Sequence, residues 1–450
     1  MATAGLGARL RSSPRLLALS KGLRGFVLGP PRPPKVTTPP PPRPAADFGV
    51  GLLRHVRPSS SPRSGYRLNL VVPTVDAART YGGIRTALDL FEAVGADAEE
   101  RRIISLNEIG PVVDHGVGAY VRVEPGDDPP APLQLASLMG PDPPLAVRAD
   151  DVFVASFWTT ADVVAQVRRW QAAAYGAAPG RFAYLIQDFE PAFYPASTLS
   201  VLARATYANA GETVAVFNTG LLRDYLHDMG ITFGAEFTFE PRMLPVLRAA
   251  MASPAVPRSR TIVIYGRPDT PRNAFAAIID GLVAWRTRDP GAAEWQVVSV
   301  GQAHPEIDLG GGVLVRSLGK LEIADYAALL RESAIGLSLM VSPHPSYPPL
   351  EMAHLGMLVV SNRYGGKDLS TWHENIVSTE DLSADAIASL VSVLRERFEA
   401  DRAIGDQGRA LRPDFASDAP AFPFADQLAA ELRAGARRVG GGTPLSAGRP

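Results

Sequence analysis

The sequence predicts an α/β protein made of two doubly wound domains that face a cleft. Three observations predict it. Short runs rich in Val, Ile and Leu alternate with helical segments over most of the 450 residues, which is the pattern of βαβ units and parallel sheets. The alternation comes in two sets, separated by the Pro-rich joint MLPVLRAAMASPAVPRSR. Apolar residues are 46% of the chain and charged residues 20%, enough to give each of two domains an ordinary core.

The elements follow in order. Residues 1–65 hold PPRPP and TPPPPRP, many Arg and Lys residues, and Asp47 as their one acidic residue. So few large apolar side chains cannot offset the entropy of ordering, so this arm is expected to be disordered. Within it, RLLALSKGLRGFVLG interleaves Leu, Phe and Val with basic residues. That suits a helix lying on an anionic membrane surface, or simply a solvated tail. Residues 66–245 form the first Rossmann-like set. RLNLVVP, RRIISL, GAYVRV, DVFVASF, FAYLIQ and TVAVFN are its strands, and GGIRTALDLFEAVG, 160–175, 196–210 and 221–229 its helices. Residues 246–260 are the linker. Residues 261–405 form the second set, with strands TIVIYG, WQVVSVG, GVLVRSLG, IGLSLM and MLVVSN and helices NAFAAIIDGLVAWRTR, IADYAALLRESA and PPLEMAHLG. Residues 406–450 add one helix, FADQLAAELRAGARR, and a loose Gly/Pro end.

Composition excludes several classes of function. A net charge of −1 argues against a general nucleic-acid binder. There is no cysteine, and the seven His are scattered, so disulfides, thiol chemistry and a zinc site are not expected. No apolar run reaches the about 18 residues that span a bilayer. LLALS is too short for a signal-peptide core and is followed by Lys21. A cytoplasmic protein is expected, with contact at the inner face of the membrane as the sharper reading of the arm.

In open α/β sheets, ligands bind beyond the carboxyl ends of the strands, so candidate chemistry is sought in the loops there. After the first strand, Gly82 and Gly83 open a helix, where exposed N–H groups accept anions and glycine admits a close ligand. After TIVIYG, Arg267 and Arg272 flank a Pro-stiffened loop, and a guanidinium fork matches phosphate oxygens. Lys320 follows a later strand. In SPHPSYPPLEMAHLG, Pro348 and Pro349 suit a first helical turn and bring Glu351 into it. In YLIQDFEPAFYP, Gln187, Asp188 and Glu190 are mixed with Phe189, Phe193 and Tyr194, as a carbohydrate site requires. Trp158, Thr159 and Thr160 lie where DVFVASF meets its helix. Each has a plain alternative: Gly82 and Gly83 a loop turn, the cations exposed surface, Asp188, Glu190 and Thr160 helix caps, the aromatics core.

Together these motifs resemble those of glycosyltransferases with the GT-B fold. The second domain is similar to family 4, and IQDFEPAFYPASTL, SPHPSYPPLEMAHLG and SNRYGGKDLS are closest to the WsaF-type rhamnosyltransferases. The resemblance covers about residues 66–405. It implies that Arg267, Arg272 and Lys320, with Gly82 and Gly83, hold the donor diphosphate, and that Glu351 binds the ribose. Gln187, Asp188, Glu190, Trp158, His344 and Tyr347 would touch the sugar or acceptor. Asp188, Arg267 and Lys320 would act in catalysis. The implied donor is dTDP-L-rhamnose, the acceptor a bacterial surface glycan that a lipid could carry, the course retaining, with neither cofactor nor metal. Asp127–Asp128 is no Asp-x-Asp metal motif. Two positions depart from family 4. Pro343 stands where many members carry a second Glu, and Gln187 or Asp188 stands where many carry a His. The alternatives are a UDP- or GDP-sugar donor, a nucleotide-sugar 2-epimerase and a catalytically silent scaffold.

Overall fold

Strands rich in apolar residues on both faces need cover on both faces, and each of the two sheets obtains it from helices. The computed structural model describes residues 53–76, 82–111, 117–140, 142–176 and 180–439. The first part holds β1 (Arg57–Ser60), β2 (Arg67–Val72), β3 (Arg101–Ser105), β4 (Val121–Arg122), β5 (Leu133–Ser137), β6 (Pro144–Val147), β7 (Asp151–Ala155), β8 (Phe182–Ile186), β9 (Thr213–Asn218) and β10 (Ala235–Phe239). Eight of them form a parallel sheet in the order β10-β9-β8-β7-β2-β3-β5-β4, while β1 pairs with β6. The second part holds β11 (Ser259–Gly266), β12 (Gln296–Gly301), β13 (Ile307–Asp308), β14 (Leu314–Gly319), β15 (Ser333–Leu337), β16 (Leu358–Asn362) and β17 (Ile376–Thr379). Their order is β13-β14-β12-β11-β15-β16-β17, with only β13 antiparallel to its neighbour.

The helices are α1 (Gly82–Val94), α2 (Trp158–Tyr175), α3 (Thr198–Ala205), α4 (Gly220–Asp228), α5 (Pro245–Met251), α6 (Phe275–Arg288), α7 (Ile323–Glu332), α8 (Pro348–His354), α9 (Ala384–Ala400) and α10 (Ala425–Val439). Alternate strand residues feed the two faces. Leu68, Leu70 and Val72 of β2 pack with Leu90 and Phe91 of α1, whereas Val71 packs with Val163 and Val167 of α2. In the second sheet Ile262 and Ile264 pack with Trp285 of α6 and Val391 of α9, whereas Val263 packs with Leu330 of α7 and Met352 of α8. This is the doubly wound arrangement the alternation predicts.

Charge is buried at the amino ends of the first sheet, away from the expected ligand side. Arg67, at the start of β2, donates to Asp151 Oδ2 at 2.7 Å and to Asp128 Oδ1 at 2.9 Å. Arg148 Nε donates to Asp128 Oδ2 at 2.7 Å. Burial pushes the Asp128 carboxyl up, but hydrogen bonds from Arg148 and Ser61 and the Arg67 charge hold it well below the carboxylate range. The loop acid Asp128 therefore serves this ion network.

Several expectations need correction. The arm was expected to be unstructured through residue 65, but β1 begins at Arg57, and Arg63 pairs with Glu100 at 2.6 Å. The basic segment of the arm lies outside the described residues. GAYVRV yields a 3₁₀ turn and the two residues of β4, because Val121 and Arg122 are exposed. The helix expected over 196–210 stops at Ala205 and continues as a 3₁₀ turn, Thr206–Asn209. The linker begins with a helix, α5. The last helix, α10, returns to the first sheet: Phe424, Leu428 and Leu432 join its core, and Phe237 and Phe424 stack with centroids 5.0 Å apart. Among the described residues, no helix is long and apolar enough to cross a membrane.

Candidate active site

The carboxyl ends of β8 and β15 meet. β8 ends at Ile186, so Gln187 and Asp188 leave the sheet at once. Gln187 Nε2 donates to the Gly83 carbonyl at 2.9 Å, and a Cβ on Gly83 would lie 3.2 Å from Gln187 Oε1. A side chain at Gly83 would therefore press on the Gln187 amide, which would have to give by a few tenths of an ångström. Gly82 is exposed beside it, with open space where a side chain would be.

Asp188 joins the two sheets. Its Oδ1 accepts from the Ser342 hydroxyl, in the loop after β15, and from the Phe189 N–H at 2.8 Å. Its Oδ2 lies 3.6 Å from Arg272 Nε. Burial pushes the Asp188 carboxyl up, while Ser342, the Arg272 charge, the Phe189 N–H and the Lys367 charge pull it back. Arg272 is set on the turn Pro271–Asn273, and its guanidinium carbon is 4.1 Å from the centre of the Phe193 ring. Burial lowers its pKa, partly offset by Asp188. A half-buried cation between a carboxylate and an aromatic face interacts strongly because little water screens it.

Tyr265 connects the remaining candidates of the second sheet. Burial raises its pKa, and Arg267, through both charge and a hydrogen bond, lowers it; Glu351 acts on the same hydroxyl. Arg267 and Glu351 therefore both act on the one Tyr265 hydroxyl. Glu351 stands in the first turn of α8, fixed by its N–H to the Tyr347 carbonyl at 2.9 Å. Its Oε2 accepts from Tyr326 at 3.1 Å. Burial pushes the carboxyl up to about 7, against the pull of that hydroxyl. Lys320 is exposed beyond β14, one strand further from β11 than β12.

The proline-rich loop is rigid for identifiable reasons. Ser346 has a φ of 67°, a left-handed conformation costly for a residue with a side chain. It is held there by donating its N–H to His344 Nδ1 at 3.0 Å. Accepting at Nδ1 places the ring proton on Nε2. Burial, with Lys367 and Arg272 nearby, lowers the His344 pKa to about 3, so the ring is neutral. Tyr347 stacks on it at 5.9 Å and turns its hydroxyl to Asn218 at the end of β9.

Two expected contact residues have other tasks. Glu190 is 1% exposed; its Oε2 accepts from the Trp158 N–H at 2.6 Å and from Tyr184 at 2.9 Å. It caps α2 from beneath the site. Trp158 is fully buried, with its ring N–H donated to Tyr194 at 2.9 Å. Both side chains are buried and hydrogen-bonded within the protein. Two residues not singled out in the sequence belong to the site: Ser342, and Lys367 in the loop after β16. Lys367 is 1% exposed, donates to the Met340 carbonyl and has its pKa lowered to about 7 by burial, against the raising effect of Asp188. The search of strand-end loops would have found it in RYGGKDLS had it been applied to β16. Among the described residues, no group of three or more His, Asp or Glu is placed to hold a metal ion.

Comparisons with known proteins bear on the family and the fold. The sequence matches the family models described as the WsaF N-terminal domain, over residues 67–220, and the WsaF C-terminal domain, over residues 260–392. The O-antigen biosynthesis protein RfbC of Myxococcus xanthus is 32% identical over 254 residues, which are 56% of this chain and 19% of that protein. The chain thus spans only a small part of that relative. WaaG, a glycosyltransferase involved in lipopolysaccharide biosynthesis, superposes with a TM-score of 0.52 at 13% identity, over 81% of this chain and 99% of the other. At that identity the likeness concerns the fold.

Proposed function

The chain belongs to the WsaF family of GT-B glycosyltransferases, and from that premise we propose that it transfers a hexosyl group, L-rhamnose from dTDP-L-rhamnose, to a growing bacterial surface glycan. The observation that carries the reading is the junction at Asp188. Ser342 and Arg272 of the second sheet hold a carboxylate of the first. That junction brings a cation of the second sheet beside an acid of the first, which supports a donor-side cation and an acceptor-side acid sharing one site.

In this reading the diphosphate leaves with growing negative charge as the glycosidic bond breaks. Arg267, Arg272 and Lys320 stabilise it, which is the largest single term in many such sites. Glu351 accepts a hydrogen bond from the 3′-hydroxyl of the nucleotide's deoxyribose. The start of α1, opened by Gly82 and Gly83, leaves room for the phosphates and sugar. Asp188 accepts a hydrogen bond from the acceptor hydroxyl or the sugar, with Gln187, His344 and Tyr347 around it. The reaction retains configuration and needs no divalent metal, since the cations carry the leaving-group charge. The name of RfbC supports an O-antigen type of acceptor. Arg267 and Arg272 can be tested by calorimetry with free dTDP and UDP. The double variant R267A/R272A is expected to lose roughly a hundredfold or more in affinity, since charge-assisted bonds contribute about 1.5–3 kcal/mol each. Unchanged affinity would place the diphosphate elsewhere.

A further inference from the structure

The turn Tyr364–Lys367 has no step in the transfer reaction as set out above, yet it is tightly built. Tyr364 and Lys367 exchange backbone hydrogen bonds at 3.2 and 3.0 Å, and Gly365 between them has a φ of 54°. The turn is pressed on the first domain: a Cβ on Gly365 would lie 2.9 Å from the Tyr225 ring. Tyr225 in turn meets Tyr364 at 6.1 Å and Phe189 at 5.4 Å, and Phe189 is the residue after Asp188. The lysine that this turn delivers is buried. A buried ammonium is costly unless it has partners, and it has three protons to place.

One proton goes to the Met340 carbonyl. That same carbonyl accepts from the Ser342 N–H at 2.9 Å, and the Met340 N–H is held by Asn362 Oδ1 at 2.6 Å. The next residue, Val341, donates its N–H to the Arg272 carbonyl at 2.7 Å. The Lys367 anchor therefore lies in the segment that sets both Ser342 and Arg272, the two groups that hold Asp188. The ammonium also acts on Asp188 by its charge. We propose that Lys367 is a positioning residue for the transfer reaction: through Met340 it fixes the Ser342 hydroxyl on Asp188, and its charge faces the Asp188 carboxylate. This rests on the transferase reading and adds a residue to it.

The pH profile separates this role from mere packing. The charged and titratable groups facing Asp188 are Arg272, Lys367 and Glu190, with the hydroxyls of Tyr207 and Tyr225; His344 faces Lys367. A positive charge beside a carboxylate lowers its pKa. Removing it raises that pKa, so the rate lost as pH falls is lost at a higher pH. The experiment follows nucleoside-diphosphate release from the donor against pH for the wild type, Lys367→Met and Lys367→Arg, with calorimetry of dTDP and UDP alongside. The expected result for Lys367→Met is nucleotide affinity within about twofold of wild type, kcat down by roughly tenfold or more with donor KM little changed, and an acid limb displaced upward on the order of one pH unit. Lys367→Arg keeps the limb near its wild-type place. An unshifted limb in Lys367→Met, or equal kcat losses in both variants with no shift, overturns the proposal. If Lys367→Met has no cooperative melting transition, Ser342→Ala takes its place: it should displace the limb in the same direction, and an unchanged profile overturns the inference. A wild-type protein that releases nucleotide from no donor overturns the transferase reading, and this inference with it; an active wild type with unshifted variants overturns the inference alone.

Discussion

At the scale of residues, the site is a set of polar groups whose charge burial has changed. Glu351 is the clearest case. Its carboxyl is pushed up to about 7, so it is neutral below that pH and charged above it. Only the charged form leaves both carboxylate oxygens free to accept from the single free hydroxyl of the deoxyribose, and it accepts more strongly than the neutral acid. Donor KM is therefore expected to fall as pH rises from 6 to 8. In Glu351→Gln the dependence should disappear and donor KM should rise roughly tenfold or more, since a hydrogen bond to a charged group contributes about 1.5–3 kcal/mol. A steady-state pH series on both proteins checks this, and a Gln variant with the wild-type slope would remove the ribose assignment. Asp188, Arg267, Arg272 and Glu351 were legible in the sequence because each leaves the carboxyl end of a strand or opens the helix that follows. Their partners were not. Asp188 meets Ser342 across a separation of 154 residues, a contact set by how the two sheets face each other and by no local pattern.

At the scale of elements, hydrophobic continuity decided what could be read. β2, β7, β9 and β16 are buried at every residue, and each carries at least three apolar residues, such as LVV in β2 and β16 and VFV in β7, that mark it in the sequence. β10 is half-buried over most of its length, and β1, RPSS, is largely exposed; strands of that kind carry no run for a sequence to show. The start of α2 shows why Glu190 was misread. An acid after a strand, among aromatics, has the composition of a sugar site. Here it takes the Trp158 N–H at the helix start, where the helix dipole favours a carboxylate. Glu190→Ala should leave that N–H and the Tyr184 hydroxyl buried and unpartnered, destabilising the fold by about 2 kcal/mol. Thermal unfolding should show a drop of several degrees, with nucleotide affinity close to wild type. An unchanged melting temperature would return Glu190 to the list of ligand contacts.

At the scale of the molecule, the two sheets are joined by more than one crossing of the chain. The residues around α5 carry it from the first sheet to the second, and the stretch before α10 carries it back. The Met243 N–H donates to the Phe415 carbonyl at 2.8 Å, tying the two crossings together. The doubly wound architecture and the cleft between the sheets followed from the alternating pattern. The return of α10 did not, because an amphipathic helix records that one face is buried and not against which sheet. At this scale the proposed activity is transfer of a sugar from a nucleotide donor by cations and carboxylates of the chain itself. The most direct measurement is nucleoside-diphosphate release from dTDP-L-rhamnose, UDP-glucose and GDP-mannose by the purified full chain in the presence of a strong chelator. The account predicts release that is fastest from dTDP-L-rhamnose and unaffected by the chelator. No release from any of the three donors, with or without chelator, would contradict it.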